Sequence, residues 1–278
     1  MKIIPCVFFS VLTINCNSNT SSKDEHFTNL RAFSSYKTIG EIPTPPGYKR
    51  IIEERNFFGA WFRKINLKED KRIYLFNGKL RDNQSTHFAV LDIPVGDKDL
   101  QQCADAIMRI RAEYFFNQGS VDSIHFKATD GTDLSFAKWM KGERYRLKGA
   151  RLAPFNSGFS GGNKRQQLEQ FLEVVFSYCG TISLDKETKP VSDLNNLRAG
   201  DLFIKAGSPG HAMIIVDVAM NDQGAKIFML AQGLMPAQSI HIVKNLLDET
   251  LSPWYRLTDD LKIITPEWVF HRNQLQRW

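Results

Sequence analysis

Two apolar runs near the end of the chain, His211 to Ala219 and Ala225 to Gln232, flank the turn sequence Asn221-Asp222-Gln223-Gly224. Runs of this kind, bounded by turn residues, read as paired strands of a hairpin. Asp201 to Ala206 and Ser239 to Lys244 add further strand candidates, so the last third of the chain is expected to be β-rich. Upstream the spacing changes. Asp97 or Asp99 is placed to cap a helix running to about Asn117, with Leu100, Cys103, Ala104, Ile107, Ile110 and Tyr114 along one face. Gln166 to Tyr178 predicts a second helix, stopped by Gly180. A short helix over Asn56 to Leu67, strands at Arg72 to Phe76 and Thr86 to Ile93, and an antiparallel excursion over residues 121–152 complete an α+β pattern.

The first sixteen residues, MKIIPCVFFSVLTINC, hold one early lysine and then an apolar run through Ile14. That run is too short to span a bilayer and matches the core of a secretory signal. Cys16 stands where a lipidated cysteine would follow cleavage, although Asn15 replaces the small residue usual before it. A plain cleaved signal or a buried first strand is the alternative. The expected organisation is a signal or lipoprotein segment at 1–16, a polar tether at 17–40 and a single α+β domain at 41–278. The expected location is the periplasm or the outer membrane, with a lipid anchor to the membrane.

Lysine and arginine exceed aspartate and glutamate by 36 to 30, a net charge of +6, with both signs interspersed and no basic block. Such a surface is solvated, mildly favours anionic surroundings and argues against a nucleic-acid partner. The four cysteines include Cys6 and Cys16 of the export segment, which leaves Cys103 and Cys179 in the body. No CxxC pair or Cys/His spacing suggests a metal, and no motif calls for a cofactor. In an oxidising compartment the two body cysteines could form one disulfide.

A cysteine hydrolase needs a thiolate, an imidazole that moves protons and a polar group that orients the imidazole. Amide groups at a helix N-terminus lower a thiol's pKa, so Cys103, early in its helix, suits a nucleophile better than Cys179 at the far end of its own. Cys103 equally suits a small buried hydrophobe on an apolar face. His211 follows Gly210 at the mouth of an apolar strand, where it either projects into a cleft or faces solvent. A two- or four-residue hairpin loop sets Met213 opposite Gln232, so that Gln232 shares the face of His211 and can hold the ring; a three-residue loop turns it away. Asp217 is expected on the His211 face but too far along the strand to orient it. His241 is a rival third member. His87, Gln84 and Gln102 are candidates for oxyanion or substrate contacts, with Gln84 equally a plain turn residue. Arg109, Arg111 and Glu113 read as a solvated or ion-paired face.

The segments Gly78-Lys79-Leu80-Arg81-Asp82-Asn83-Gln84-Ser85-Thr86-His87, Asp99-Leu100-Gln101-Gln102-Cys103-Ala104-Asp105-Ala106, Ser208-Pro209-Gly210-His211-Ala212 and Leu230-Ala231-Gln232-Gly233-Leu234-Met235-Pro236-Ala237-Gln238 resemble an uncharacterised bacterial lipoprotein family, domain-of-unknown-function family 4846. A looser likeness covers Asp201 to Gln232, whose order of Gly-Asp strand, Gly-His strand, hairpin and polar residue is similar to NlpC-type endopeptidases and CHAP amidases. That resemblance implies a papain-like core, a Cys-bearing helix packed on an antiparallel sheet with inserted β-hairpins. It implies Cys103 as nucleophile, His211 as base and Gln232 as third member of a cell-envelope cysteine amidohydrolase or peptidase, with peptidoglycan or another peptide as partner. The chain departs from the pattern in its Gln102-Cys103-Ala104 helix start, in the long stretch between Cys103 and His211, and in the depth of Cys103 within its expected helix. The competing function is a non-catalytic lipoprotein that holds a peptide or glycan in the same cleft.

Overall fold

A computed structural model describes residues 35–54, 57–158, 161–256 and 262–278. The expected signal segment, Cys16 and most of the tether lie outside the described residues. The architecture is α+β, with antiparallel sheets. Its spine is β9 (His211–Asn221), in which every residue from His211 to Ala219 is buried. On one side β9 pairs with β10 (Lys226–Gln232), which leads to β11 (His241–Val243) and β2 (His87–Val90). On the other it pairs with β8 (Leu202–Lys205), followed by β15 (Leu275–Arg277) and β7 (Lys189–Pro190). Near the turn, β1 (Tyr48–Arg50) joins β9 and β12 (Trp254–Arg256) joins β10. The hairpins β3–β4 (His125–Lys127, Asp133–Ser135), β5–β6 (Glu143–Lys148, Arg151–Asn156) and β13–β14 (Lys262–Ile264, Val269–His271) stand apart as small sheets.

Because strand side chains alternate, the central sheet has two apolar faces. Ala212, Ile214 and Val216 of β9 share a core with Ile107 and Ile110 of α2 (Cys103–Asn117) and with Leu168 and Phe171 of α4 (Lys164–Tyr178). Met213 and Ile215 belong to a second core with Phe203, Phe228 and Phe270, the last brought by β14. The remaining helices are short: α1 (Phe58–Phe62), α3 (Phe136–Met140) and α5 (Thr181–Glu187).

Several sequence expectations change for identifiable reasons. The packed part begins before residue 41, because Ile39 is fully buried and the Ile39 amide bonds to the Ile65 carbonyl. Residues 72–76 form no strand; Tyr74 and Leu75 make only isolated bridges, to Leu80 and Gln238. The first long helix starts at Cys103 with Gln102 as its cap, not at Asp97 or Asp99. Asp99 is engaged elsewhere, its Oδ1 accepting from the Ala237 amide at 2.7 Å. Of the two readings of Arg109 and Glu113, the ion-paired one holds, with both side chains buried. Arg109 bonds Gln101 at 2.9 Å and pairs with Glu169, while Glu113 pairs with Arg165, tying α2 to α4.

The β9–β10 register combines both loop alternatives. Next to the turn, Lys226 faces Met220 and Met229 faces Asp217, which would carry Gln232 to the wrong face. A β-bulge then intervenes, and Leu230 faces Ile215 while Ala231 faces Ile214. The extra residue restores the register that sets Gln232 on the His211 side. It also moves Asp217 off that face and onto the helical side, where its buried carboxylate meets Arg50 Nε at 2.6 Å and an Arg63 nitrogen at 2.9 Å. The same carboxylate accepts from the Val218 amide at 2.9 Å, so the bulge is satisfied by its own side chain.

Removing one partner of a buried ion pair costs about 3–5 kcal/mol because the remaining charges lose their compensation. Asp217→Ala should lower stability by that amount in urea unfolding. Asp217→Asn, which keeps the acceptor for Val218, should lose less.

Candidate active site

Cys103 is the first residue of α2, so the sulfur stands at the positive end of the helix. What brings the helix start there is a backbone contact. A Cβ added to Gly233, just past β10, would lie 2.9 Å from the Gln102 carbonyl oxygen and 2.9 Å from Ala106 Cβ. Only glycine permits this approach. The half-buried thiol faces the backbone amide of Ala212. Burial raises its pKa and the nearby Asp105 adds to the rise, while the amides of Ala212, Ala104 and Cys103 itself act in the opposite direction.

Asp105 bonds the Gln102 amide at 3.1 Å through one oxygen, and its other oxygen has no partner. Burial pushes its pKa up to about 8, so at neutral pH this carboxyl holds its proton. The second body cysteine, Cys179, caps the end of α4 and donates to the Lys127 carbonyl at 3.3 Å. Burial raises its pKa as well, and the two cysteines are not bridged.

His211 opens β9 directly after Gly210, where a Cβ would collide with Gly207 O at 2.4 Å and Thr181 Oγ1 at 2.6 Å. The imidazole is 2% exposed and stacks on Phe270, with ring centroids 5.8 Å apart, beneath Trp268 at 5.2 Å. Its Nε2 lies 2.7 Å from Gln232 Oε1. The orientation of the Gln232 amide follows from its other contacts. Gln232 Nε2 donates to Glu267 Oε2 at 2.9 Å and approaches His241 Nε2 at 3.2 Å. The oxygen therefore faces His211, which must donate from Nε2, and the neutral ring keeps its lone pair on Nδ1. Among the described residues that nitrogen makes no hydrogen bond.

The polar row continues behind Gln232. His241 is fully buried and its Nδ1 donates to the Ser239 carbonyl at 2.9 Å; burial holds its pKa down to about 3, so it stays neutral. His87 meets it edge-on at 6.0 Å between ring centroids and places Nε2 2.6 Å from the Lys71 carbonyl, and burial lowers its pKa also. Glu267 opposes the cost of burial with bonds to Thr86, Arg81 and Gln232 that keep it ionised. Burial lowers the pKa of His211, while Gln232 and the Glu267 charge favour its protonated form.

The structure thus brings His211, Gln232, His241 and His87 together on one face of the sheet. Cys103 reaches the same end of β9 from the helical face, against the amide of the residue following His211. Among the described residues no hydrogen bond joins its sulfur to the ring. Gln102 caps the helix beside Cys103. Gln84 does not belong to this group: its amide is spent on the backbone of Ile73 and Arg81, at 2.7–3.0 Å, and it holds a loop. Glu267, Arg81 and Asp105 escaped the sequence reading. A carboxylate between Pro266 and Trp268 carries no pattern beyond its apolar company, and Asp105 sits three residues past the cap, where an acid is ordinarily solvated. Among the described residues no cluster of side chains suits a metal ion, and no helix is long and apolar enough to cross a membrane.

Asp105 supplies a pH test. Its folded pKa of about 8 exceeds the ordinary 3.8, so its favourable contribution is complete below pH 4 and is lost as pH rises to about 8. Asp105→Asn should raise the melting temperature above pH 8 by at least about 2–4 °C, the shift produced by 1 kcal/mol in a domain of this size. Near pH 4 the gain should vanish.

Compared with known proteins, the chain matches the sequence model of a family described as "Domain of unknown function (4846)" over residues 39–277. No curated protein and no solved structure matches it.

Proposed function

The chain belongs to that family of unknown function, and from this premise we propose that it is a cysteine-dependent amide hydrolase of the cell envelope, on a papain-like arrangement of helix and sheet. One observation carries the reading: a thiol at a helix N-terminus lies against the amide of Ala212, the residue that follows an imidazole whose Nε2–H is held by Gln232. Holding Nε2 in this way leaves Nδ1 as the base, the division of labour that a thiol–imidazole pair requires.

In the reaction, the Cys103 sulfur attacks an amide carbonyl while the thiol proton passes to His211 Nδ1. The new C–S bond gives a tetrahedral adduct whose oxyanion is met by the Cys103 amide, with the Gln102 side chain nearby. The C–N bond then breaks as His211 returns the proton to the leaving amine. Water, deprotonated by the same nitrogen, cleaves the thioester and releases the acid and the thiol. Burial raises the thiol's pKa and lowers the imidazole's, so the resting pair is neutral and the proton moves only as substrate arrives. The apolar first residues and Cys16 support an exported, lipid-anchored protein, for which peptidoglycan peptide is the substrate class at hand.

A second reading, a non-catalytic envelope protein holding a peptide or glycan, is favoured by the placement of His211 and Cys103 on opposite faces of β9. An electrophilic peptide probe separates the two. At pH 7–8 it should label Cys103 at least about tenfold faster than Cys179, a preference that His211→Ala removes and Gln232→Ala weakens. Equal, slow labelling of both cysteines would sink the hydrolase. Separately, metabolic labelling with a fatty acid should mark the wild-type chain and not Cys16→Ser, which should leave the membrane fraction.

A further inference from the structure

A cleft of about 250 Å³ lies away from Cys103 and His211, between α1, the second half of α2, the turn before β8 and the last residues of the chain. Its walls are rings: Phe57, Phe58, Tyr114, Phe115 and Trp278. Against them lies Arg111, whose guanidinium carbon stands 4.3 Å from the Trp278 ring centre and 4.9 Å from that of Phe115.

We infer that this cleft is a binding site for a small carboxylate carrying a flat apolar body. The argument starts from the cation. Arg111 lies over two rings, and among the described residues no carboxylate is within ion-pair distance of it; Glu187 acts on it only through space. A guanidinium has five N–H donors in a planar fork that fits a carboxylate, and stacking on aromatic faces leaves the fork's edge available. Burial already lowers its pKa to about 10, so a bound anion would relieve a cost that the fold now bears.

Two further arginines line the cleft. Arg277 is neutralised by Asp201 at 2.5 Å, while Arg198 has no ion pair among the described residues and acts on Glu53 only through space. Of the three arginines in the cleft, only Arg111 lies over its rings among the described residues, so a single carboxylate bound there would set its apolar body against those rings. The ring-lined walls, with Phe57 46% exposed, would cover the flat body of the ligand.

Titration of the chain with 3-phenylpropionate and with its neutral amide, followed by NMR, tests this. The acid should shift the Arg111 Nε–H and Trp278 indole N–H resonances and bind at least about tenfold more tightly than the amide. Arg111→Gln should abolish that preference. Phe57→Ala, at an exposed position, should weaken acid and amide together, and it keeps the test valid should Arg111→Gln not fold. Equal binding of acid and amide, no binding of either, or shifts confined to other surfaces would overturn the site. None of these results bears on Cys103, so the hydrolase stands or falls separately.

Discussion

Asp217 sits where β9 carries one residue more than β10, and its carboxylate holds the Val218 amide together with Arg50 and Arg63. Side chains on a strand have period two, so a single inserted residue exchanges the faces of everything beyond it. Between Met229 and Leu230 that exchange happens once, and Gln232 thereby arrives beside His211 instead of among the helices. The ion pairs also draw β1 and the end of α1 onto the sheet. The arrangement of the polar row at one end of the hairpin is therefore fixed by a charge placed in the middle of it.

The position of the thiol has a different origin. It depends on Gly233 allowing the exit of β10 to touch the backbone that opens α2, and on Asp99 fastening that opening to Ala237. Both contacts involve main-chain groups, which set position more tightly than long side chains do. Cys103 and His211 thus reach the same strand end by independent routes, one through a helix start and the other through the loop at Gly210.

Much of this was legible in the chain. Apolar runs and turn residues located β8 to β11 to within a few residues, because those strands are sealed and tolerate few polar substitutions. Both long helices were visible for the same reason. The start of α2 was misplaced because Asp97 and Asp99 have the chemistry of caps, while Asp99 uses it on a distant amide. The bulge was invisible because Val216 and Asp217 read as an ordinary continuation of alternation. Arg109 and Glu113 read as solvated or ion-paired, and the choice stayed open because their partners on α4 lie far off in sequence. Glu267 could not be placed, since nothing local shows that β14 folds its neighbours Trp268 and Phe270 over His211.

The amide of Gln232 gives the polar row a direction. With its nitrogen fixed toward the Glu267 carboxylate, a half-turn would set oxygen against oxygen at one end and two N–H groups against each other at the other. His211 inherits its tautomer from that preference, whereas His241 and His87 take theirs from the Ser239 and Lys71 carbonyls. A charge anchored by Arg81 and Thr86 thus acts as a polariser, deciding from two residues away which nitrogen His211 leaves bare.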